Sequence, residues 1–177
     1  MNRFRNAAKL LPAFLLCACA SAPPPPPVVP PPTALPPPPT ADFELRLYHG
    51  GCRGGCANYD LVIQADGGVD YLGHAHVAIA GAQRGRIEAD TLAALRAHII
   101  DIGLAGKSGR YLHGTSDCGD WTPDQPTVVL EIWQDGAWQR FEHDLGCAGA
   151  LSSLLPLEQS IDATVHSAQW VYGGALY

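Results

Sequence analysis

Cys52 and Cys56 stand in a glycine-rich run, His49-Gly50-Gly51-Cys52-Arg53-Gly54-Gly55-Cys56-Ala57-Asn58-Tyr59, and Cys118 and Cys147 follow later. Four cysteines admit three chemistries. Thiolates with His49 would give a His-x2-Cys-x3-Cys zinc site that Cys118 or Cys147 could complete, although that spacing is not a strong zinc signature. A thiol–disulfide exchange centre usually takes Cys-x-x-Cys at a helix start, so Cys-x3-Cys in a loop departs from it. An even number in an exported domain favours two structural disulfides. A second polar group occupies Leu112–Asp120, where His113, Ser116, Asp117 and Asp120 crowd into one loop. That set could serve hydrolysis or hold a cation, but it has no nucleophile elbow and not the acidic spacing of an EF-hand. The bland reading is a loop whose Ser and Asp cap local turns. His74 and His76 alternate and would share a strand face, with no third ligand evident for a metal.

The charge balance narrows the partners. The formal net charge is −6, with 11 Lys and Arg against 17 Asp and Glu. Arg3, Arg5 and Lys9 fall in the leader, so without them the balance is more acidic still. An acidic chain with no basic stripe disfavours nucleic acid and direct binding to anionic lipid. Those three cations precede a short apolar stretch, Leu10–Leu16, interrupted by Pro12. It is far shorter than the roughly 20 residues that span a bilayer, so it reads as a signal and not as a transmembrane helix. Leu16-Cys17-Ala18-Cys19 resembles the bacterial lipobox, with residues 1–18 as signal peptide and Cys19 as the lipidated residue. The resemblance implies acylation of Cys19, and several acyl chains anchor stably where one would not. Ala20, rather than Asp, implies export to the outer membrane in a Gram-negative envelope.

Residues 19–41 form a linker. Its core, residues 22–39, holds twelve prolines in eighteen positions. Proline lacks the N–H that helices and sheets use, so an extended polyproline II rod is expected, at about 3.1 Å per residue. It would act as a spacer, or as a docking site for a proline-reading domain. Residues 42–177 are then a single domain. Phe43, Leu45 and Leu47 alternate with polar neighbours, and Tyr59, Leu61 and Ile63 do so after the Cys loop. Asp66-Gly67-Gly68 turns the chain into a third strand through Val69, Tyr71 and Gly73, and residues 75–82 read as a fourth. Leu92, Leu95, Ile99 and Ile102 predict a helix over 89–102 with Gly103 beyond its end. After a loop-rich stretch, Thr127–Gln134 and Trp138–Leu145 form a hairpin about Asp135-Gly136. A second helix starts near Ser152 or Ser153 and buries Leu154, Leu157, Ile161 and Val165. Trp170, Val171 and Tyr172 would be an apolar patch or short strand. The expected class is α+β, an antiparallel sheet of about six strands with two helices on one face, in the order ββββ-α-ββ-α.

The hairpin bears on the cysteines. A two-residue turn at 135–136 sets residue 127 opposite 144, which brings Cys147 near the loop carrying Cys118. Cys118–Cys147 with Cys52–Cys56 follows. Crossed pairings between the 52–56 loop and Cys118 and Cys147 remain open.

Cys52-Arg53-Gly54-Gly55-Cys56-Ala57-Asn58-Tyr59, then Asp66-Gly67 and Tyr71-Leu72-Gly73, resemble the bacterial domain of unknown function 6438 family. So do Gly81, Gly85 and Ile87 before Leu92 and Leu95, Asp117 before a strand, Cys147, the stretch Leu154 to Asp162, and Trp170. Arg53 and Ala57 stand where that family usually has an aromatic residue and a proline. The resemblance spans about 42–172 and implies a fold; it implies no activity.

The sequence therefore points to an outer-membrane lipoprotein with a disulfide-stabilised binding or structural domain and no cofactor, facing the periplasm or cell surface. Its partner would be an envelope protein or another envelope component, and Arg53, Tyr59, His113 and Asp117 are the candidate binding residues. The alternative is an envelope enzyme, hydrolytic or thiol-redox, with its site near the Cys52–Cys56 loop and residues 113–120.

Overall fold

The computed structural model describes residues 27–104 and 107–173. The signal peptide and Cys19 lie outside the described residues. The elements run β1 (Glu44–His49), β2 (Asn58–Gln64), β3 (Gly68–Ala75), β4 (Gly81–Arg86), α1 (Ala89–Asp101), β5 (Gly109–Tyr111), β6 (Thr127–Gln134), β7 (Ala137–Asp144), α2 (Leu154–Val165) and α3 (Ala168–Val171). The strands form one sheet in the order β4-β3-β2-β1-β6-β7-β5. All neighbours are antiparallel except β5 and β7.

Turn chemistry sets the registers. Asp135 and Gly136 both take positive φ, at 54° and 77°, the conformation a two-residue hairpin turn needs. Gln134 then faces Ala137, and Thr127 faces Asp144, as the sequence predicts. At the β2–β3 turn the Gly67 N–H donates to the Gln64 carbonyl at 3.0 Å. Gly67 sits at φ +84°, where a Cβ would approach the Ile87 oxygen to 2.5 Å. Only glycine fits there.

The sheet has two different faces. Leu45, Leu47, Leu61, Ile63, Leu130, Ile132 and Phe141 point to the helices and are essentially sealed from solvent. α1 contributes Leu92, Leu95 and Ile99, and α2 contributes Leu154, Leu157, Ile161 and Val165, the faces that helical spacing predicts. Beyond α1, Gly103 takes φ +68° and its N–H bonds to the Ile100 carbonyl, so it ends the helix as expected.

Four expectations change. The sheet has seven strands; β5 is three residues long and pairs with β7 in parallel. It carries too little pattern to stand out of a glycine-rich loop. The fourth strand is not 75–82. His76 takes φ 55° and ends the β3 run, and the N–H groups of Ala78 and Ile79 bond to the Val171 and Trp170 carbonyls. The apolar residues there serve contacts with the chain's end, and β4 forms from the more polar Gly81–Arg86. Trp170 and Val171 are buried on the short helix α3, while Tyr172 is exposed. Last, the proline segment does not stand away from the domain over its described length. Val29 and Pro32 are hydrogen-bonded to sheet side chains.

Both sequence-favoured disulfides are present, Cys52–Cys56 and Cys118–Cys147. The second closes the longer loop, with a sequence separation of 29 against 4. On chain-entropy grounds, replacing Cys118 and Cys147 by Ala should lower unfolding stability by about 3–4 kcal/mol, against about 2 kcal/mol for Cys52 and Cys56. Urea unfolding of the two double variants measures both. A larger loss from the short loop would contradict the loop-entropy account.

Candidate functional site

The polar side chains that the fold gathers lie first beneath α2. On the helix side of the sheet, β1 ends in His49, β2 carries Tyr59, and β7 carries His143. Glu158 and Asp162 lie one turn apart on α2, hence on one face. His49 Nε2 approaches Asp162 Oδ2 at 2.9 Å. The Tyr59 hydroxyl donates to Asp162 Oδ1 at 2.8 Å, and the Ser167 hydroxyl donates to the same oxygen at 2.7 Å. His143 Nδ1 lies 3.2 Å from Glu158 Oε1, with both residues buried. The His49 ring stacks on Tyr59 with centroids 4.5 Å apart. Burial raises the Tyr59 phenol far above its ordinary range, and the adjacent Asp162 charge raises it further. Burial alone pushes Tyr71 up to about 12.

A His–Asp pair is two-thirds of a hydrolytic triad. The hydroxyls of Tyr59 and Ser167, however, donate to the carboxylate and not to the imidazole. Neither is placed to lose its proton to His49, so this arrangement fastens α2 to the sheet and does not activate a nucleophile. Sequence reasoning missed it. Only the helix-face position of His49 and the four-residue spacing of Glu158 and Asp162 hinted at it.

The sequence-predicted residues divide between loop and core. Arg53 projects from the Cys52–Cys56 turn, 91% exposed, and its Nε is 3.8 Å from Asp124. Such an exposed pair adds little stability, but it shows that the Cys loop and the 112–126 loop lie side by side. The Gly50 N–H to Thr127 carbonyl bond, 2.8 Å, joins the chain just before the Cys turn to the start of β6, just after the other loop. The His113 ring lies on Trp121 with centroids 3.8 Å apart, and Trp121 Nε1 donates to Asp144 at 2.9 Å. Asp117 accepts from Ser116 at 3.3 Å and precedes the buried Cys118. Arg53, His113 and Asp117 thus sit in loops, while Tyr59 is buried beneath α2 and presents no binding surface. His74 pairs with Asp60 at 2.7 Å, and the turn at His76 removes that residue from the shared face. Because Cys52, Cys56, Cys118 and Cys147 are all in disulfides, none is a thiolate for zinc. Among the described residues, no three His, Cys, Asp or Glu side chains come together as a metal site.

A cavity lies on the other face of the sheet, between it and residues 29–37 of the proline segment. It has a volume of about 800 Å³. Tyr48, Leu72 and Val129 give it an apolar floor, and Arg46, Arg84 and Asp70 add charge. Glu131, at its edge, is buried and bonded to Arg140. Burial holds the Glu131 carboxyl above its ordinary range, against the smaller opposing pull of the Arg140 and Arg46 guanidiniums. A cleft with an apolar floor and a few fixed charges suits an extended, partly apolar ligand.

The Tyr59 bond can be tested. Tyr59→Phe deletes a donor to the half-buried Asp162 carboxylate and should cost about 1.5–3 kcal/mol in urea unfolding at neutral pH. The sign of the pH effect is fixed: a phenol raised by folding stabilises fully below its unfolded value, about 10, and loses that contribution as pH climbs towards the folded value. Stability should fall above about pH 10 less steeply in Tyr59→Phe than in the parent. Ultraviolet titration should show one fewer late-ionising phenol. An unchanged alkaline profile would contradict the assignment.

No curated protein matches the chain in sequence. Residues 43–165 match the family described as Domain of unknown function (DUF6438). That span runs from Phe43, the core residue just before β1, to the last residue of α2, and takes in both disulfides and the polar layer beneath α2 except Ser167. With its sheet, its two main helices and its cysteine turn inside the match, the chain belongs to the DUF6438 family.

Proposed function

We propose that the protein is a lipoprotein of the bacterial outer membrane whose folded domain is a binding module, not an enzyme. The observation that carries this reading is the agreement of two independent features. Leu16-Cys17-Ala18-Cys19 resembles a lipobox, and every cysteine of the folded domain is in a disulfide. Disulfides persist in oxidising compartments, which is where lipobox processing would deliver the chain. Cys19 carries the anchor, and the acyl chains hold the domain at the membrane.

The ligand is an envelope protein or another envelope component, received on the sheet face away from the helices. The acidic balance of the chain argues against nucleic acid. The hydroxyls around His49 and Asp162 donate to the carboxylate, which argues against hydrolysis there.

Labelling cells with radioactive palmitate tests the anchor. The parent protein should take up the label and fractionate with outer membranes, and Cys19→Ser should do neither. Persistent label in Cys19→Ser would overturn the lipoprotein reading.

A further inference from the structure

The proline tract is interrupted in a way that the sheet reads. Val28 and Val29 stand between two proline runs, Pro23–Pro27 and Pro30–Pro32. Proline has no backbone N–H, so Val29 brings a donor that its proline neighbours lack. Its N–H donates to Asn58 Oδ1 at 2.8 Å. Its carbonyl accepts from the Tyr48 hydroxyl and from Asn58 Nδ2 at 3.4 Å. Asn58 is completely buried, and its amide also donates to the His49 carbonyl at 2.8 Å. The reading group is therefore held rigidly by β1.

Two further contacts fix the register. Val28 lies against Gly51, where an added Cβ would stand 2.7 Å from Val28 Cγ1. The Pro32 carbonyl accepts from Arg140, whose guanidinium is clamped by Glu131 and by Glu142, the latter at 3.1 Å. Val29 and Pro32 are three residues apart, one turn of a polyproline II helix, so their carbonyls return to the same side. An extended peptide of this kind enters a site with little conformational freedom left to lose.

We propose that Asn58, Tyr48, Gly51 and Arg140 form a recognition site for a Val-Val-Pro-Pro-Pro peptide, and that its occupant is the chain's own residues 28–32. Asn58 requires an N–H at the second position. Gly51 makes room for the branched side chain before it. Arg140 takes the carbonyl one turn later. The inference stands on these contacts and does not depend on lipidation or on the cellular compartment.

Nuclear magnetic resonance of the full-length chain in detergent micelles provides the test. In the parent, the Val29 amide should exchange at least about tenfold more slowly than the Thr33 amide of the same tract, because it alone of the two is bonded to Asn58. The full-length Val29→Pro variant should leave the domain folded and free the site. A synthetic peptide spanning residues 27–37 should then bind it in trans, shifting the Asn58 and Arg140 side-chain signals. The same peptide should fail to bind Val29→Pro/Gly51→Val, in which the notch is filled and the buried Asn58 untouched. Three results would overturn the proposal: Val29 exchanging as fast as Thr33 in the parent, no peptide binding to Val29→Pro, or equal binding to both variants. A Val29→Pro strap that stayed docked in cis would also overturn it, since no N–H would then be required.

Discussion

The carboxylate of Asp162 accepts from His49 of β1, Tyr59 of β2 and Ser167 at the start of α3. A buried or half-buried carboxylate is costly unless its lone pairs are filled; here neighbours from three elements fill them. The consequence is positional. α2 can lie on the sheet only with Asp162 over the ends of β1 and β2, which also sets Glu158 against His143 of β7. Leu154, Leu157 and Ile161 then fall onto the apolar floor of the sheet. The apolar face of α2 supplies the driving force, and the polar layer chooses the register.

The same corner carries the covalent ties. The Cys52–Cys56 turn begins three residues after His49, and Cys147 lies four residues after His143. One end of the sheet is thus closed by two disulfides above a layer of paired histidines. Loops there are long and glycine-rich, and their backbone entropy would otherwise oppose folding. The staples reduce the freedom of the unfolded chain in these loops.

The opposite face is dressed differently. Tyr48 and Val129 point away from the helices yet are only 3% and 2% exposed. Period-two alternation assigns Tyr48 to the solvent side with Glu44 and Arg46, and a sheet with one bare face would leave it there. The proline segment changes that by lying across it. A tract of which residues 29–37 line the domain leaves fewer residues to act as a spacer. The cavity that remains between strap and sheet is the surface on which a binding module would receive a ligand.

By itself, the sequence determined the α+β class, the two hairpin turns, the buried faces of α1 and α2, and the favoured cysteine pairing. These features are local or follow from a register that an Asp-Gly turn fixes, so short-range spacing suffices to find them. Only the tertiary structure decided that Gly109–Tyr111 joins the sheet, that residues 76–79 turn to meet Trp170 and Val171, and that Asp162 gathers His49, Tyr59 and Ser167. Only it placed Tyr59 in the core rather than on a surface, and laid Val29 on Asn58, 29 residues away in sequence. Each of these rests on partners distant along the chain, where a hydrogen bond or a buried ring has no signature in the spacing of its neighbours. The sequence shows which groups need partners, and the folded chain decides which partners they meet.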